Sequence, residues 1–250
     1  MISERIHQVT SQRFNSLSLN TLQTMKARLM KILPVLLLSF MLAMAVGAEQ
    51  VKPAPEIIAE KLQANYEKLT TFSADFTQTT QIKLNRRERQ GSGTLVLLKP
   101  KYLRWDYYTP ERQIMISDGS DITMYFEKSR QMIVSGAAEY LQSDVTYSFF
   151  TGSGNILHDF IVNEGADEEN AAGSLVIELV PKESHPHLER LYVWTSRDTF
   201  LIDRLQIIDL FGTVTDLYFN NIAVDQNAGG EINDSLFHFT PPPDTEIIKQ

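Results

Sequence analysis

The chain has 250 residues, 43% hydrophobic and 22% charged, which is ordinary globular usage and excludes a wholly disordered chain. Lysine and arginine total 23 against 31 acidic residues, and a net charge of −8 argues against any general attraction to nucleic-acid phosphates. With no cysteine, disulfide frameworks, thiol nucleophiles and cysteine-ligated metal sites are excluded.

In chain order, the first signal is Lys26, Arg28 and Lys31 ahead of an apolar run from Ile32 to Val46, closed by the small residues Val46-Gly47-Ala48. This predicts a secretory signal peptide that starts at Met25 and is cleaved at Ala48-Glu49, with Met1 to Thr24 as a dispensable extension. The run is short for a membrane span, although an uncleaved anchor is the alternative. Because no cysteine follows the run, the chain is not expected to be a lipoprotein itself. Residues 1–48 hold five basic residues and one acid, so the remainder carries about −12. Such a domain, residues 49–250, is expected to be soluble, periplasmic and repelled by anionic membrane surfaces.

Pro55 marks a helix start, and Ile58, Leu62, Tyr66 and Leu69 recur at helical spacing. From Phe72 the period becomes two, which predicts a strand, a charged turn within Lys83 to Arg89, and further strands at Thr94–Leu98 and Tyr102–Tyr108. Asp118-Gly119 predicts a hairpin between Gln113–Ser117 and Ile122–Phe126, followed by a strand at Gln131–Ser135. Between Ala137 and Phe150 the spacing of Leu141, Val145 and Phe149 predicts a short amphipathic helix. Strands are then expected at His158–Val162, Ser174–Val180, Leu188–Thr195, Phe200–Asp209 and Thr213–Asn221, and a last short one at Phe237–Thr240, stopped by three prolines. So many antiparallel strands must curl, giving a mainly β fold with some α: a half-barrel or barrel, with helices inside or outside it.

No Ser-His-Asp set, nucleophile elbow, phosphate loop or metal-ligand spacing is present. Gly91-Ser92-Gly93 and Gly152-Ser153-Gly154 read as turn or hinge glycines. His185 and His187 flank Pro186 near Glu183 and Glu189, and a solvated turn accounts for them better than a metal site. Asp75, Asp106 and Asp118 could supply carboxylates to a dispersed hydrolase site, but Asp118 beside Gly119 is more simply a turn residue. No cofactor is expected.

Several segments resemble the LolA family of periplasmic outer-membrane lipoprotein carriers. They are Phe72-Ser73-Ala74-Asp75-Phe76-Thr77-Gln78, Gly91-Ser92-Gly93-Thr94-Leu95, Lys99-Pro100-Lys101-Tyr102-Leu103-Arg104-Trp105, Pro110 to Ser117 with Asp118-Gly119, and Phe239-Thr240-Pro241-Pro242. The resemblance spans most of residues 54–243. It implies an unclosed antiparallel β-barrel with a helical lid, no enzymatic chemistry, and a cavity for lipoprotein acyl chains. Its implied partners are acylated lipoproteins, an inner-membrane ATP-driven lipoprotein-releasing complex and an outer-membrane receptor, with the carrier a monomer. The family arginine that holds the lid closed is Lys99 here, which can hydrogen-bond carbonyls but lacks the planar fork. Leu103 stands where well-studied members carry an aromatic residue, and Trp105 matches directly.

Alternation nominates Leu95, Leu97, Leu103, Trp105, Ile114, Ile116, Met124 and Phe126 as the lipid-binding face, with Leu141, Val145 and Phe149 in the lid. Each buried methylene is worth about 0.8 kcal/mol, so three long acyl chains represent about 30 kcal/mol of exposure that a carrier must hide. A sensing module on the same half-barrel, binding a lipid or lipoprotein signal without shuttling it, is the other reading.

Overall fold

The computed structural model describes residues 52–137, 154–165, 173–225 and 232–250. Pro55 opens helix α1 (Pro55–Lys68), where a missing N–H is harmless because first-turn donors have no intrahelical acceptor. Ile58, Ala59, Leu62 and Tyr66 form its buried face. Glu56 in the first turn and Lys68 in the last complement the helix dipole.

Six strands follow as a meander: β1 (Thr71–Ile82), β2 (Arg87–Leu98), β3 (Tyr102–Thr109), β4 (Gln113–Ser117), β5 (Asp121–Phe126) and β6 (Gln131–Gly136). A one-turn helix α2 (Ile156–Asp159) precedes a second meander. It comprises β7 (Phe160–Glu164), β8 (Ser174–Pro181), β9 (Arg190–Ser196), β10 (Ile202–Ile208) and β11 (Val214–Val224), and β12 (Glu246–Lys249) comes last. Antiparallel pairing of β11 with β1 joins the two meanders into one twelve-stranded sheet. Its edges, β7 and β12, do not pair with each other, so the sheet curves without closing.

Helix α1 lies on the inner face. Its buried residues share one apolar cluster with Phe72, Phe76, Leu95, Leu97 and Leu103 from the first meander and Ile177, Leu179, Val193 and Leu205 from the second. Directed hydrogen bonds fix its position. Asn65 Nδ2 donates to Thr199 O at 2.5 Å, Tyr66 Oη accepts from Ile202 N at 3.2 Å, and Gln63 Oε1 accepts from Ile156 N at 2.8 Å. Burial of Tyr66 raises its phenol well above the ordinary tyrosine range.

The outer face of the first meander is also covered. A 3-10 turn at Asp234–Phe237 lies across it, with Phe237 stacked on Tyr102 at 5.1 Å and Phe239 against Tyr125 at 4.9 Å. Arg104 Nη1 donates to Leu236 O at 2.6 Å while Arg104 Nε pairs with Asp106 at 2.6 Å. Sequence alternation predicts a strand at Phe237–Thr240; instead these residues cross the sheet, and the terminal strand is β12, parallel to β6. The three prolines end one path and redirect the chain to the sheet edge, where Glu246 pairs with Gln131. His158, expected in a strand, belongs to α2, which Asn155 caps by accepting from His158 N. The helix expected around Leu141, Val145 and Phe149 lies outside the described residues.

Gly91 and Gly93 are strand residues of β2, not turn residues. A Cβ at Gly93 would stand 1.7 Å from Asp106 O and 3.0 Å from the Phe76 ring, so a glycine is required where β2 meets β3 through a bulge.

Candidate functional site

At the end of the inner face away from the buried α1 cluster, the half-barrel leaves a cavity of about 960 Å³. Tyr107, Met115, Met124 and Phe126 give it one apolar wall, joined by the edges of Trp105 and Leu217 from the α1 cluster, while polar side chains such as Gln78, Arg89 and Gln113 line the rest. Cross-strand register produces this set: Leu95 pairs with Trp105, Trp105 with Met115, and Met115 with Met124, one row across four strands. Phe76 supports the floor by meeting Trp105 edge-on at 5.3 Å and Tyr107 edge-on at 4.8 Å. The indole and phenol rings are parallel within 8°. Tyr107 Oη donates to Gln78 Oε1 at 2.8 Å, which satisfies the one polar atom of that ring next to the apolar wall.

Of the eight residues nominated by alternation, Trp105, Met124 and Phe126 line the cavity. Leu95, Leu97 and Leu103 share its face but are sealed in the cluster that contains α1. Ile114 and Ile116 belong to the opposite face: Ile114 pairs with Asp106 and Tyr125, Ile116 with Arg104, and both pack with Phe237. Although Ile114 borders the cavity, its side chain is 2% exposed within that outer cluster. Strand β4 is apolar on both faces because the C-terminal segment covers the outer one, so alternation offers two equally apolar solutions there. The apolar lining residues missed include Ile82, Tyr107, Met115, Ile207 and Leu217. The signal that could have found Met115 is the Asp118-Gly119 loop, which sets Ser117 against Ile122 and therefore Met115 against Met124.

Lys99 stands at the junction of β2 and α1. Its Nζ donates to the backbone carbonyl of Tyr66, and its own N–H donates to Thr70 O at 2.9 Å. Burial lowers the ammonium below the ordinary lysine range, opposed by the nearby carboxylates of Glu67 and Asp225. The contact is with α1; Leu141, Val145 and Phe149, the expected lid, lie outside the described residues.

The carboxylates considered for catalysis are far apart in role. Asp75 accepts from Asn221 Nδ2 at 2.6 Å, Asp106 pairs with Arg104, and Asp118 caps its turn by accepting from Ser120 N and Asp121 N. Those backbone donors, led by Asp121, hold the Asp118 carboxyl below the ordinary range. His187 N donates to His185 Nδ1 at 3.2 Å within the β8–β9 loop, which occupies one of the nitrogens a metal would use. Among the described residues no group of three or more His, Asp or Glu side chains is arranged to hold a metal ion.

Comparison with known proteins agrees with this geometry. An outer-membrane lipoprotein carrier protein of Nitrosomonas europaea is 29% identical over 197 residues, covering 79% of this chain and 91% of that one. One from Chromohalobacter salexigens is 28% identical over 222 residues, covering 85% and 98%. An uncharacterised conserved protein from Thermus thermophilus shares the fold with a TM-score of 0.51 at 12% identity, covering 78% of this chain and 98% of that one. Residues 67–240, from the last turn of α1 to the segment that crosses the outer face, match the family described as outer membrane lipoprotein carrier protein LolA, and the chain belongs to that family.

Proposed function

We propose that this protein holds the acyl chains of lipoproteins in its concave cavity and carries them across the periplasm, from an inner-membrane ATP-driven releasing complex to an outer-membrane receptor. The observation that supports this most strongly is the row Trp105–Met115–Met124 on the open side of a half-barrel cavity of about 960 Å³. The apolar part of its lining is aromatic rings, methionines and aliphatic side chains, and flexible thioethers accommodate chains of differing length and saturation. The work of the site in this reading is binding, carried by its apolar wall and in keeping with a family of lipoprotein carrier proteins. In this reading the Ala48-Glu49 bond is the signal-cleavage site, and α1, tied by Lys99, Asn65 and Tyr66, sets how far the sealed residues Leu95, Leu97 and Leu103 join the binding surface.

The carrier is tested by native mass spectrometry after incubation with spheroplasts that present a triacylated lipoprotein. A soluble one-to-one complex is expected, lost on Trp105→Glu with Met124→Glu. Folded protein that extracts no lipoprotein overturns the reading.

A further inference from the structure

Two hairpin tips carry apolar side chains into solvent, and they stand side by side. The β1–β2 turn presents Leu84, 92% exposed, and the β10–β11 turn presents Phe211, 79% exposed, and Leu210, 54% exposed. Strand pairing brings them together, since β1 and β11 are neighbours and Gln81↔Val214 is the last pair before both turns. A Cβ at Gly212 would lie 3.1 Å from Lys83 Cδ, so the tips touch. Both are structured. Asp209 Oδ1 accepts from Phe211 N and Thr213 N, each at 2.8 Å, and Asn85 Oδ1 accepts from Arg87 N at 3.1 Å.

The β1–β2 tip is basic, and the acid of the neighbouring tip, Asp209, is turned onto its own backbone donors. Within residues 83–89 lie Lys83, Arg86, Arg87 and Arg89 against the single acid Glu88. None of the four bases forms an ion pair among the described residues. The tips also stand at the mouth of the cavity, which is lined by Ile82, Arg89 and Thr215 immediately beside them.

We infer that the paired tips Leu84 and Leu210-Phe211 dock the cavity mouth onto an anionic lipid surface, the apolar side chains entering the interface while Lys83, Arg86 and Arg87 meet lipid phosphates. Apolar side chains with basic neighbours are what the membrane interface selects. The charge of about −12 on residues 49–250, from which general repulsion by anionic surfaces is expected, is opposed locally, because salt screens charges beyond about 8 Å and the basic cluster is what the surface meets. A protein partner fits less well. Two narrow protruding tips lack the roughly 800 Å² per partner of a standard interface, whereas a lipid surface yields around each tip. The proposal rests on the acyl-chain reading for its purpose, since a docked mouth shortens the exposed path of a transferred chain.

The test uses protein recovered in soluble form from expression of the full gene, without cargo, floated with vesicles of phosphatidylcholine alone or mixed equally with phosphatidylglycerol. Association is expected with the anionic vesicles only and is expected to fall with salt. Leu84→Ser with Phe211→Ser, and separately Arg86→Gln with Arg87→Gln, should each weaken it about tenfold or more, while circular dichroism and binding of a fluorescent fatty acid in the cavity stay unchanged. Absence of flotation with anionic vesicles overturns the proposal, as does flotation that both variants retain. Loss of delivery to a membrane-bound receptor in these variants, without any vesicle binding by the parent, also overturns it in favour of an acidic protein partner. Cavity binding is read separately, so failure of docking and failure of the carrier reading are distinguishable.

Discussion

Lys99 Nζ donates to the backbone carbonyl oxygen of Tyr66, a bond that ties the end of β2 to the last turn of α1. The helix is thereby held over the inner face at its C-terminal end, where unsatisfied carbonyls carry partial negative charge and a cation is favoured. Lys99→Met keeps most of the stem but removes the donor, and is expected to destabilise the fold by about 1–2 kcal/mol, measured by urea unfolding. An unchanged midpoint would remove Lys99 from the structural account.

Asp225 braces the same junction from the other side. Its Oδ1 accepts from Thr70 N and Thr70 Oγ1, each at 2.7 Å, and from Thr71 N. These bonds, led by the Thr70 N–H, hold the carboxyl below the ordinary aspartate range. A depressed folded value means that the charge stabilises the protein above the ordinary value of about 3.9 and that this contribution is lost as pH falls through the lowered value. Asp225→Asn tolerates the same left-handed backbone, φ 51°, and isolates the charge. After solvent screening it should cost about 0.5–1 kcal/mol at neutral pH, with the gap to the parent closing below about pH 3.9. A gap constant from neutral to strongly acid pH would contradict this.

The two faces of β4 and β5 predict opposite phenotypes. Met124→Glu on the inner face should weaken binding of a fluorescent fatty acid at least about tenfold, because a carboxylate in an apolar cavity must be desolvated or neutralised. Ile116→Ala on the outer face should lower stability by about 2–4 kcal/mol and leave the affinity unchanged. Titration and chemical unfolding of both variants check the assignment, and exchanged phenotypes would reverse the faces.

Asp106 is buried and Arg104 half-buried, and Arg104 also holds Leu236 O, so the pair clamps the C-terminal segment. Arg104→Met leaves Asp106 without its partner and is expected to cost about 3 kcal/mol. Adding Asp106→Asn should recover part of that loss. Proteolysis of residues 232–250 should accelerate in the single variant, and equal losses in single and double variants would argue against the clamp.

Gly93→Ala puts a methyl 1.7 Å from Asp106 O and must force β2 and β3 apart, with an expected cost of about 3 kcal/mol or failure to fold. Gly136→Ala meets nothing within 4 Å and serves as the control, expected near neutral. Thermal unfolding compares the two.

Much of this architecture is legible in the sequence because its signals are local. Pro55 and the Ile58-Leu62-Tyr66 spacing specify α1, alternation from Phe72 onward specifies the meanders, and Asp118-Gly119 specifies its hairpin. What depends on contacts between distant segments is not legible. Ile114 and Met115 are equally apolar neighbours, and only the packing of Phe237, more than a hundred residues later, turns one outward and leaves the other in the cavity. The same holds for β12, whose place beside β6 is set by a free sheet edge and not by its own four residues. Leu84 and Phe211 look like isolated exposed residues until β1 and β11 pair and bring their tips together. By itself the sequence determined the periods, and so most of the elements and a curled antiparallel sheet, while the choice of an unclosed over a closed barrel came with the two unpaired edges, β7 and β12. Only the tertiary structure decided which face each strand buries, because burial is fixed by what covers a face and the covering segment is remote in the chain.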